Sequence, residues 1–468
     1  MIHNENSRVK IPALVHLTRL EYKYIKQKDC SGAYCPKTNI FKGILRDSIN
    51  RLNGTALTEA DVDSLVEELA IKLNTDDLGR AFYKILLSGF NGLRLIDLED
   101  ESRNSYHVVT ELTYQNGEDE FRPDITLLVN GLPLAFIEVK KPNNRDGIIA
   151  EHTRMNKRFA KKVFRRFANI TQIMVFSNNM EYDDNDVEPI EGAFYASSSY
   201  EKLFFNRFRE EDPTIHSSVR PVDSNSEETI LMDNNLVTIK GTEEYALNID
   251  EHTPTNRMLT SLFAHSRFNM FLKYGFAYVE RTDKNGIKTL QKHIMRYPQF
   301  FATLAIEKKL NVGVKHGIIW HTQGSGKTAL AFHNVRYLRD YFQRQDKVAK
   351  FYFVVDRLDL LTQASEEFAA RGLHVEKVNS KEDFIKNIKT IGTSNNSGED
   401  SITVVNIQKF TEESVARKSD YDVDVQRIYF LDEAHRSYKP KGSFLANLMA
   451  SDRDAVMVAL TGTPLIGD

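Results

Sequence analysis

The stretch Gly317–Thr328, GIIWHTQGSGKT, constrains the fold of this chain more than any other. The apolar run from Gly317 to Trp320 is typical of a buried strand, and the residues from Ala329 to Leu338 have helical apolar spacing. Between them lies a glycine-rich turn, where backbone N–H groups at a helix N-terminus can close on phosphate oxygens. The stretch therefore predicts a nucleotide-binding loop, with these residues around the phosphates: Thr322, Gly324, Ser325, Gly326, Lys327 and Thr328.

Each residue type in this loop has a distinct chemical use. The lysine supplies positive charge, and the hydroxyl of Thr328 can ligate Mg²⁺. His321 stands where the pattern G-x-x-x-x-G-K-[ST] has its first glycine, while the remainder of the pattern is intact. ATP or GTP binding is the interpretation we favour. The alternative, an ordinary glycine-rich turn, requires the Lys-Thr pair after a strand and a turn to be a coincidence.

After the loop, strand-like and helix-like segments alternate, which is the pattern of a parallel α/β sheet. Polar clusters follow the apolar strands, at the edge where open α/β sheets bind ligands. These clusters begin at Asp356, Asn406, Asp432 and Thr461. In the cluster Asp432-Glu433-Ala434-His435, we expect Asp432 to hold Mg²⁺ and Glu433 to orient the water that attacks the γ-phosphate.

Upstream, the apolar pattern switches to the alternation typical of a β-meander. Asp124 follows a proline, and Glu138 and Lys140 lie on the same face of a predicted strand because they are two residues apart. A two-residue turn at Asn130-Gly131 with regular pairing would leave Asp124 out of phase with Glu138. We predict instead a three-residue loop or a bulge, which sets Asp124 opposite Glu138.

Two carboxylates and a lysine that converge in this way can hydrolyse phosphodiesters. Carboxylate oxygens hold Mg²⁺, so Asp124 and Glu138 are the candidate metal ligands, and Lys140 can polarise the attacking water. The pattern is short and arises often in a chain with 27% charged residues. A surface hairpin with a solvated Glu-Lys pair is the alternative.

Composition excludes several classes of protein. The 468 residues include two cysteines, Cys30 and Cys35, which are too few for a zinc set of thiolates. No apolar run approaches the length of a membrane helix and no signal-peptide pattern is present, so a cytoplasmic location with no membrane partner is the expectation. The net charge of −3 neither supports nor excludes DNA binding. The residues from Arg154 to Phe167 predict one basic amphipathic helix, which suits either phosphate contact or a solvated face.

Motif order and composition predict three segments: residues 1–220 as an endonuclease domain, 221–260 as a linker and connecting segment, and 261–468 as the nucleotide-binding lobe. The fold class expected is α/β in both domains.

The nucleotide-binding loop, Asp432-Glu-Ala-His435 and Thr461-Gly-Thr-Pro464, in that order, resemble the first RecA-like lobe of superfamily-two helicases and translocases. Together with Val355-Asp-Arg357, Ile407-Gln-Lys409 and the Pro123-Asp124…Glu138-Val-Lys140 hairpin, they resemble the restriction (R) subunit of type I restriction-modification enzymes. The resemblance implies a PD-(D/E)xK nuclease-like domain followed by a RecA-like lobe, and a type I site-specific deoxyribonuclease that uses Mg²⁺ and ATP.

The resemblance also implies roles that the residues alone do not. Arg296 and Gln299 would read the adenine base, and Asp356-Arg357 and Asn406–Lys409 would lie along the DNA track. Double-stranded DNA and the modification (M) and specificity (S) subunits would be the partners.

Two departures from the family pattern matter. The Gln-x-x-x-Tyr element that often follows the lysine is absent from Glu151–Met155. The 468 residues end four residues after Pro464, before the second RecA-like lobe of the family, so we expect these residues alone to hold nucleotide weakly and to turn it over poorly. Two other functions stay open: a superfamily-two DNA helicase or repair ATPase with a structural or inactive nuclease-like domain, and a non-enzymatic DNA-binding assembly module.

Overall fold

The computed structural model describes residues 4–142, 145–182, 191–322, 324, 326–378, 380–389, 400–406, 424–432 and 452–462. The chain divides into two compact units, the first formed by residues 1–276 and 290–294 and the second by 277–289 and 295–468. Among the described residues, none of the helices has the length and apolar character needed to cross a membrane.

The first unit begins with a π-helical turn, Asn6–Lys10, that continues directly into α1. Its α-helices are α1 (Ile11–Arg19), α2 (Lys42–Asn53), α3 (Glu59–Lys72), α4 (Arg80–Ser88), α5 (Arg145–Ala160), α6 (Arg165–Ile170), α7 (Ser224–Asp233), α8 (Glu243–Asn248), α9 (Pro254–Phe263) and α10 (His265–Tyr274). Its strands are β1 (Lys23–Ile25), β2 (Tyr34–Cys35), β3 (Ile40–Phe41), β4 (Tyr106–Thr110), β5 (Tyr114–Asn116), β6 (Asp119–Phe121), β7 (Ile125–Val129), β8 (Leu132–Val139), β9 (Ile173–Ser177) and β10 (Ala193–Ala196).

A six-stranded mixed sheet forms the centre of the first unit, in the order β1-β4-β7-β8-β9-β10. The predicted meander is present, since β4 pairs antiparallel with β7 and β7 pairs antiparallel with β8. All eight residues of β8 are buried, as is usual for a central strand covered on both faces. An aromatic core that includes Phe121, Phe136, Phe159 and Phe167 packs between this sheet and α5 and α6.

The hairpin of β7 and β8 has the predicted register, with Asp124 opposite Glu138. Of the two features predicted to produce this register, a three-residue loop and a bulge, only the bulge is present. Asn130 and Gly131 form a two-residue turn with φ of 52° and 83°, so the three-residue loop is wrong. The bulge is confirmed: Leu127 pairs with Ala135 and Leu128 with Pro133, which leaves one extra residue on β8. Ile125 then pairs with Ile137, and one step further this register sets Asp124 opposite Glu138.

The unit boundary passes through the hairpin of β11 (Phe276–Thr282) and β12 (Lys288–Ile294): Leu290–Ile294 belong to the first unit, and Ala277–Thr289 belong to the second. The α-helices of the second unit are α11 (Tyr297–Asn311), α12 (Lys327–Gln343), α13 (Leu358–Ala370) and α14 (Lys381–Lys389). Its other strands are β13 (His316–Trp320), β14 (Val348–Val355), β15 (His374–Val378), β16 (Ser401–Asn406), β17 (Val425–Asp432) and β18 (Val456–Thr461).

Six strands of the second unit form an all-parallel sheet in the order β13-β18-β17-β14-β16-β15. The α/β fold predicted from the alternating pattern is therefore confirmed. β13 is a strand as predicted, but its prediction as buried is wrong: Ile318 and Trp320 are 58% and 62% exposed. The reason is position, because β13 is the edge strand of the described sheet.

The segment 221–260, predicted as a linker and connecting segment, contains α7, α8 and most of α9, which lie within the first unit. Tyr24 on β1 donates a 2.6 Å hydrogen bond to Asp233 at the end of α7. The boundaries at residues 220, 221–260 and 261 stay a prediction about how the functional domains divide.

Candidate functional site

The first candidate site surrounds the open end of the β7–β8 hairpin. Asp124 immediately precedes β7, and its Oδ2 accepts a 2.9 Å hydrogen bond from the backbone N–H of Val139. This bond fixes the aspartate against the segment that carries Glu138 and Lys140. The three residues that the sequence predicted as a catalytic set are thus brought together by the fold.

Lys140 follows β8, and both of its nitrogen atoms are held. Its backbone N–H donates to Ser177 on the neighbouring strand β9 at 2.8 Å, and its Nζ donates to the carbonyl of Val139 at 2.8 Å. The same Nζ lies 3.7 Å from Oε2 of Glu138 and 3.4 Å from Oε2 of Glu151. The ammonium group is therefore oriented among carboxylates before any ligand arrives.

Glu151, on the helix α5, is a site residue that the sequence did not predict. Its side chain is almost fully buried, and Arg154 one turn later lies 2.7 Å from Oε2. Its position on the helix that follows Lys140 could have indicated this role. The family element expected on that helix, Gln-x-x-x-Tyr, begins with glutamine, so the glutamate was not recognised. A glutamate at this place adds a negative charge that a glutamine would not supply.

Glu5, which immediately precedes the π-helical turn, is a second addition from outside the hairpin. Burial raises the pKa of this carboxyl, Lys140 lowers it, and Asp124 and Glu151 raise it further. These charges act on Glu5 because the N-terminal segment approaches the same site. Four carboxylates therefore act on one lysine.

The site is buried and contains more carboxylates than positively charged groups. Burial raises the pKa of Glu138 well above its usual range, and the charges of Asp124 and Glu151 raise it further. Burial likewise raises the pKa of Asp124, against the hydrogen bond from Val139 and the charge of Lys140. Burial alone would lower the pKa of Lys140, but Glu138 and Glu151 outweigh it and the pKa is raised.

Whether these residues suit a divalent cation can be judged from the donor atoms. Oε1 of Glu138 is buried and accepts no hydrogen bond from the residues that the structure describes. A buried carboxylate oxygen without a partner is costly unless a cation is bound to it. Asp124 and Glu138 supply the hard oxygen donors that Mg²⁺ prefers, so the residues fit the ion.

Helix α5 also brings two arginines to the edge of this site. Arg158 lies over the ring of Phe121 at 3.9 Å and interacts with the charges of Glu151 and Glu138. The predicted single basic helix from Arg154 to Phe167 is wrong, because α5 ends at Ala160 and a 3-10 turn separates it from α6. Beyond that turn the buried Arg165 pairs with Asp76 at 2.6 Å, so it serves the fold.

The second candidate site is the loop between β13 and α12. Gly326 has a φ of 84° and precedes α12, so that Lys327 and Thr328 form the first turn of the helix. Nζ of Lys327 lies 3.8 Å from Oδ1 of Asp432, at the end of β17. The sequence placed this lysine and this aspartate in one nucleotide site, and the sheet brings them together.

Arg296 and Gln299 lie against the same loop. Nη2 of Arg296 donates to the carbonyl of Gly324 at 3.3 Å, and Oε1 of Gln299 accepts from the backbone N–H of Arg296 at 2.9 Å. A Cβ atom on Gly326 would lie 2.6 Å from Nε2 of Gln299, so that side chain would have to move, and the φ of 84° itself favours glycine. This contact supports a link between the Arg296–Gln299 pair and the loop, while adenine reading by the pair stays a prediction.

Some of the other residues predicted to act at the nucleotide site are described by the structure, and others are not. Thr322 and Gly324 are exposed. His321 is half-buried, its backbone N–H donates to Thr461 at 3.1 Å, and burial together with Arg296 and Lys327 lowers its pKa. Ser325, Glu433 and the segment 407–409 lie outside the described residues, so their predicted roles stay predictions.

Two family models match different parts of the chain. Residues 2–183 match the family model described as type I restriction enzyme R protein N terminus. Residues 298–468 match the model described as SWI2/SNF2 ATPase. The fold and the sites thus define a protein with a nuclease-like α/β domain followed by an ATPase lobe.

The chain is also similar to curated endonuclease subunits of type I restriction enzymes. The putative type I restriction enzyme MjaIXP endonuclease subunit of Methanocaldococcus jannaschii is 25% identical over 99% of this chain and 42% of its own length. The type I restriction enzyme SauMSSORF170P endonuclease subunit of Staphylococcus aureus MSSA476 is 25% identical over 80% of this chain and 33% of its own length. These matches support an R subunit of a type I restriction enzyme, and the chain spans less than half the length of these relatives.

Among solved structures, a nuclease-deletion mutant of the type ISP restriction-modification enzyme LlaGI with a DNA substrate mimic overlaps 37% of this chain and 18% of its own, at 18% identity and a TM-score of 0.27. A similarity this slight locates no residue of either site.

Proposed function

We propose that the chain cleaves DNA at the β7–β8 hairpin and couples ATP at the β13–α12 loop to DNA translocation, as part of a type I restriction enzyme. Double-stranded DNA is the substrate, and modification and specificity subunits are the partners. The observation that carries the nuclease assignment is the convergence of Glu138 and Glu151 on Nζ of Lys140, with Asp124 bonded to the adjacent Val139 and a buried oxygen of Glu138 left without a hydrogen bond.

Asp124 and Glu138 would hold Mg²⁺, which when bound supplies charge for the phosphodiester and a more acidic water molecule. Lys140 is positioned to stabilise the negative charge that develops on the phosphate, since its Nζ is fixed by Val139 and by two glutamates. Glu151 holds that ammonium group from the helix side. Arg154 and Arg158 present positive charge on the same helix, which suits contact with the DNA backbone.

The competing function, a helicase or assembly module with a merely structural hairpin, fits the site less well. A structural hairpin gains nothing from several buried carboxylates around one lysine, because each ionised group pays a desolvation cost. A surface hairpin with a solvated Glu-Lys pair is contradicted directly, since Glu138 is 6% exposed.

At the second site, Lys327 and the first turn of α12 would bind the phosphates of ATP, and Thr328 and Asp432 would hold Mg²⁺. Arg296 and Gln299 would contact the base. The 3.8 Å distance from Lys327 to Asp432 supports this assignment, because it brings a cation for the phosphates and a carboxylate for Mg²⁺ to the same loop.

The experiment is Mg²⁺-dependent DNA cleavage by the assembled enzyme carrying Asp124→Asn, Glu138→Gln or Lys140→Ala. Each variant should lose cleavage by about a hundredfold or more, as expected when transition-state stabilisation is removed, and should keep ATP hydrolysis. Lys141→Ala is the matched control, because this neighbouring lysine is exposed. Cleavage that survives all three substitutions would show that the hairpin is not the nuclease site.

A further inference from the structure

A cluster of metal-binding side chains lies in the first unit, among residues that neither the nuclease site nor the nucleotide loop uses. One ring nitrogen of His216, one of His252 and one carboxylate oxygen of Glu251 all lie within 4.8 Å of one another. The rings of the two histidines are 5.2 Å apart. These residues come from two distant parts of the chain, so the fold brings them together.

The backbone on each side of the cluster is held in place. His216 lies in the 3-10 turn Pro213–Ser218, and its carbonyl accepts a 3.1 Å hydrogen bond from Val219. The backbone N–H of His252 donates to Asp250 at 2.7 Å, and its carbonyl accepts from Arg257 at 3.1 Å. Rotation of the side chains, without movement of the backbone, can therefore bring the donor atoms around one metal ion.

Glu251 is oriented by a neighbour. Arg19 lies 2.7 Å from Oε2 of Glu251 and also donates to the carbonyls of Arg220 and Ile249, so the guanidinium group is itself fixed. The other oxygen, Oε1, lies 3.7 Å from Nε2 of His252. Outer partners of this kind orient the ligands of metal sites.

A second observation points to a ligand. Nδ1 of His216 is buried and has no hydrogen-bond partner among the described residues. Burial of a polar nitrogen without a partner is unfavourable, and a bound cation would satisfy it.

We propose that His216, Glu251 and His252 form a Zn²⁺ site that is separate from the nuclease centre. Two imidazoles and one carboxylate are a donor set that Zn²⁺ accepts, with water in the fourth position, whereas Mg²⁺ prefers sites built from oxygen alone. The site joins the turn 213–218 to the loop that precedes α9. Its role is structural, since binding would fix two irregular segments of the first unit.

The test uses chain purified without a histidine tag and carrying Glu138→Gln, so that metal binding at the nuclease centre is removed. Co²⁺ is titrated while its visible absorption is recorded, and Zn²⁺ or Mg²⁺ is then added as a competitor. We expect one equivalent of Co²⁺ with the visible bands of an imidazole-bound ion, displaced by Zn²⁺ and unaffected by Mg²⁺. Zn²⁺ should also raise the thermal unfolding midpoint of this protein.

His252→Ala should weaken Co²⁺ binding by about tenfold or more, and this exposed residue can be replaced without disturbing the core. His216→Ala should have the same effect, with circular dichroism showing that the fold is retained. His316→Ala is the matched control because His316 is exposed and lies outside the cluster. Failure to retain Co²⁺, bands that survive His252→Ala, or equal loss in the control would each overturn the proposal.

Discussion

Nζ of Lys140 lies 3.4 Å from Oε2 of Glu151, closer than the 3.7 Å that separates it from Glu138, its neighbour on the same strand. The lysine of the hairpin is thus held by a helix as well as by its own strand. This contact joins α5 to the open end of β7 and β8. The proposed nuclease centre is therefore formed by the packing of three elements, and the hairpin alone does not complete it.

Glu151→Gln should reduce Mg²⁺-dependent cleavage by about tenfold or more, the range found when groups behind metal ligands are removed. The substitution keeps the shape of the side chain and removes the charge that holds Lys140. The rate measured at saturating Mg²⁺ separates two roles: it falls if Glu151 positions Lys140, and it recovers if Glu151 only strengthens metal binding. Glu118→Gln, on the exposed β5–β6 turn, is the control. A variant with unchanged rate and unchanged Mg²⁺ dependence would contradict any role for Glu151.

Glu138→Gln should make the metal-free chain more stable near neutral pH. Burial and neighbouring carboxylates raise the pKa of Glu138 in the folded state, so its ionised form is less favourable there than in the unfolded chain. This stability penalty is absent below the unfolded pKa and grows as pH rises toward the folded pKa, by about 1.4 kcal/mol for each unit of pKa difference. Thermal unfolding measured from acid to neutral pH should show a gain for the variant that shrinks at low pH. A gain in stability that does not change with pH would contradict the explanation that Glu138→Gln removes the cost of ionising a buried carboxyl.

Added Mg²⁺ should make the wild type more stable than Glu138→Gln, the reverse of the order expected without metal. Binding to the folded wild type raises its stability by mass action, and Glu138→Gln removes a ligand. The unfolding midpoint of the wild type should therefore rise with Mg²⁺ while that of the variant changes less. Equal shifts in both proteins would place the bound ion elsewhere.

Gly326→Ala should weaken nucleotide binding by about tenfold or more, equivalent to about 1.4 kcal/mol, and leave the proposed nuclease centre intact. A Cβ atom there meets Nε2 of Gln299 at 2.6 Å, and the positive φ adds strain. Gly313→Ala is a matched control, because Gly313 has a φ of 78° and open space around it. Both variants place an alanine in the left-handed region, which costs about 1 to 2 kcal/mol. Only Gly326→Ala also disturbs the nucleotide-binding loop. Binding of a fluorescent ATP analogue measures the difference, and equal affinity in the two variants would contradict the packing of Gln299 on the loop.

Sequence was sufficient for residues whose roles depend on local pattern. Strand parity set Glu138 and Lys140 on one face, and a loop or bulge was predicted to bring Asp124 opposite Glu138. The order of strands and polar clusters likewise predicted that Lys327 and Asp432 share a site, since the carboxyl ends of parallel strands lie at one edge. The structure confirms both proximities.

Residues whose roles depend on tertiary packing were not predictable in the same way. Glu5 reaches the nuclease centre from a π-helical turn more than a hundred residues away in the chain, and no spacing rule connects it to Asp124. The choice between a longer loop and a bulge depended on how β8 pairs with its neighbours on both sides. The exposure of Ile318 depended on the place of β13 in the sheet, which strand pattern alone does not give.

The most direct test of the proposed metal site is mapping with Fe²⁺, a divalent ion that can occupy carboxylate sites and that cuts nearby backbone when peroxide is added. Cuts should lie near Asp124, Glu138 and Glu151, should be suppressed by Mg²⁺, and should vanish in Glu138→Gln. Cuts in this region that persist in Glu138→Gln, or Mg²⁺-suppressed cuts confined to other parts of the chain, would contradict a metal-dependent nuclease centre at the hairpin.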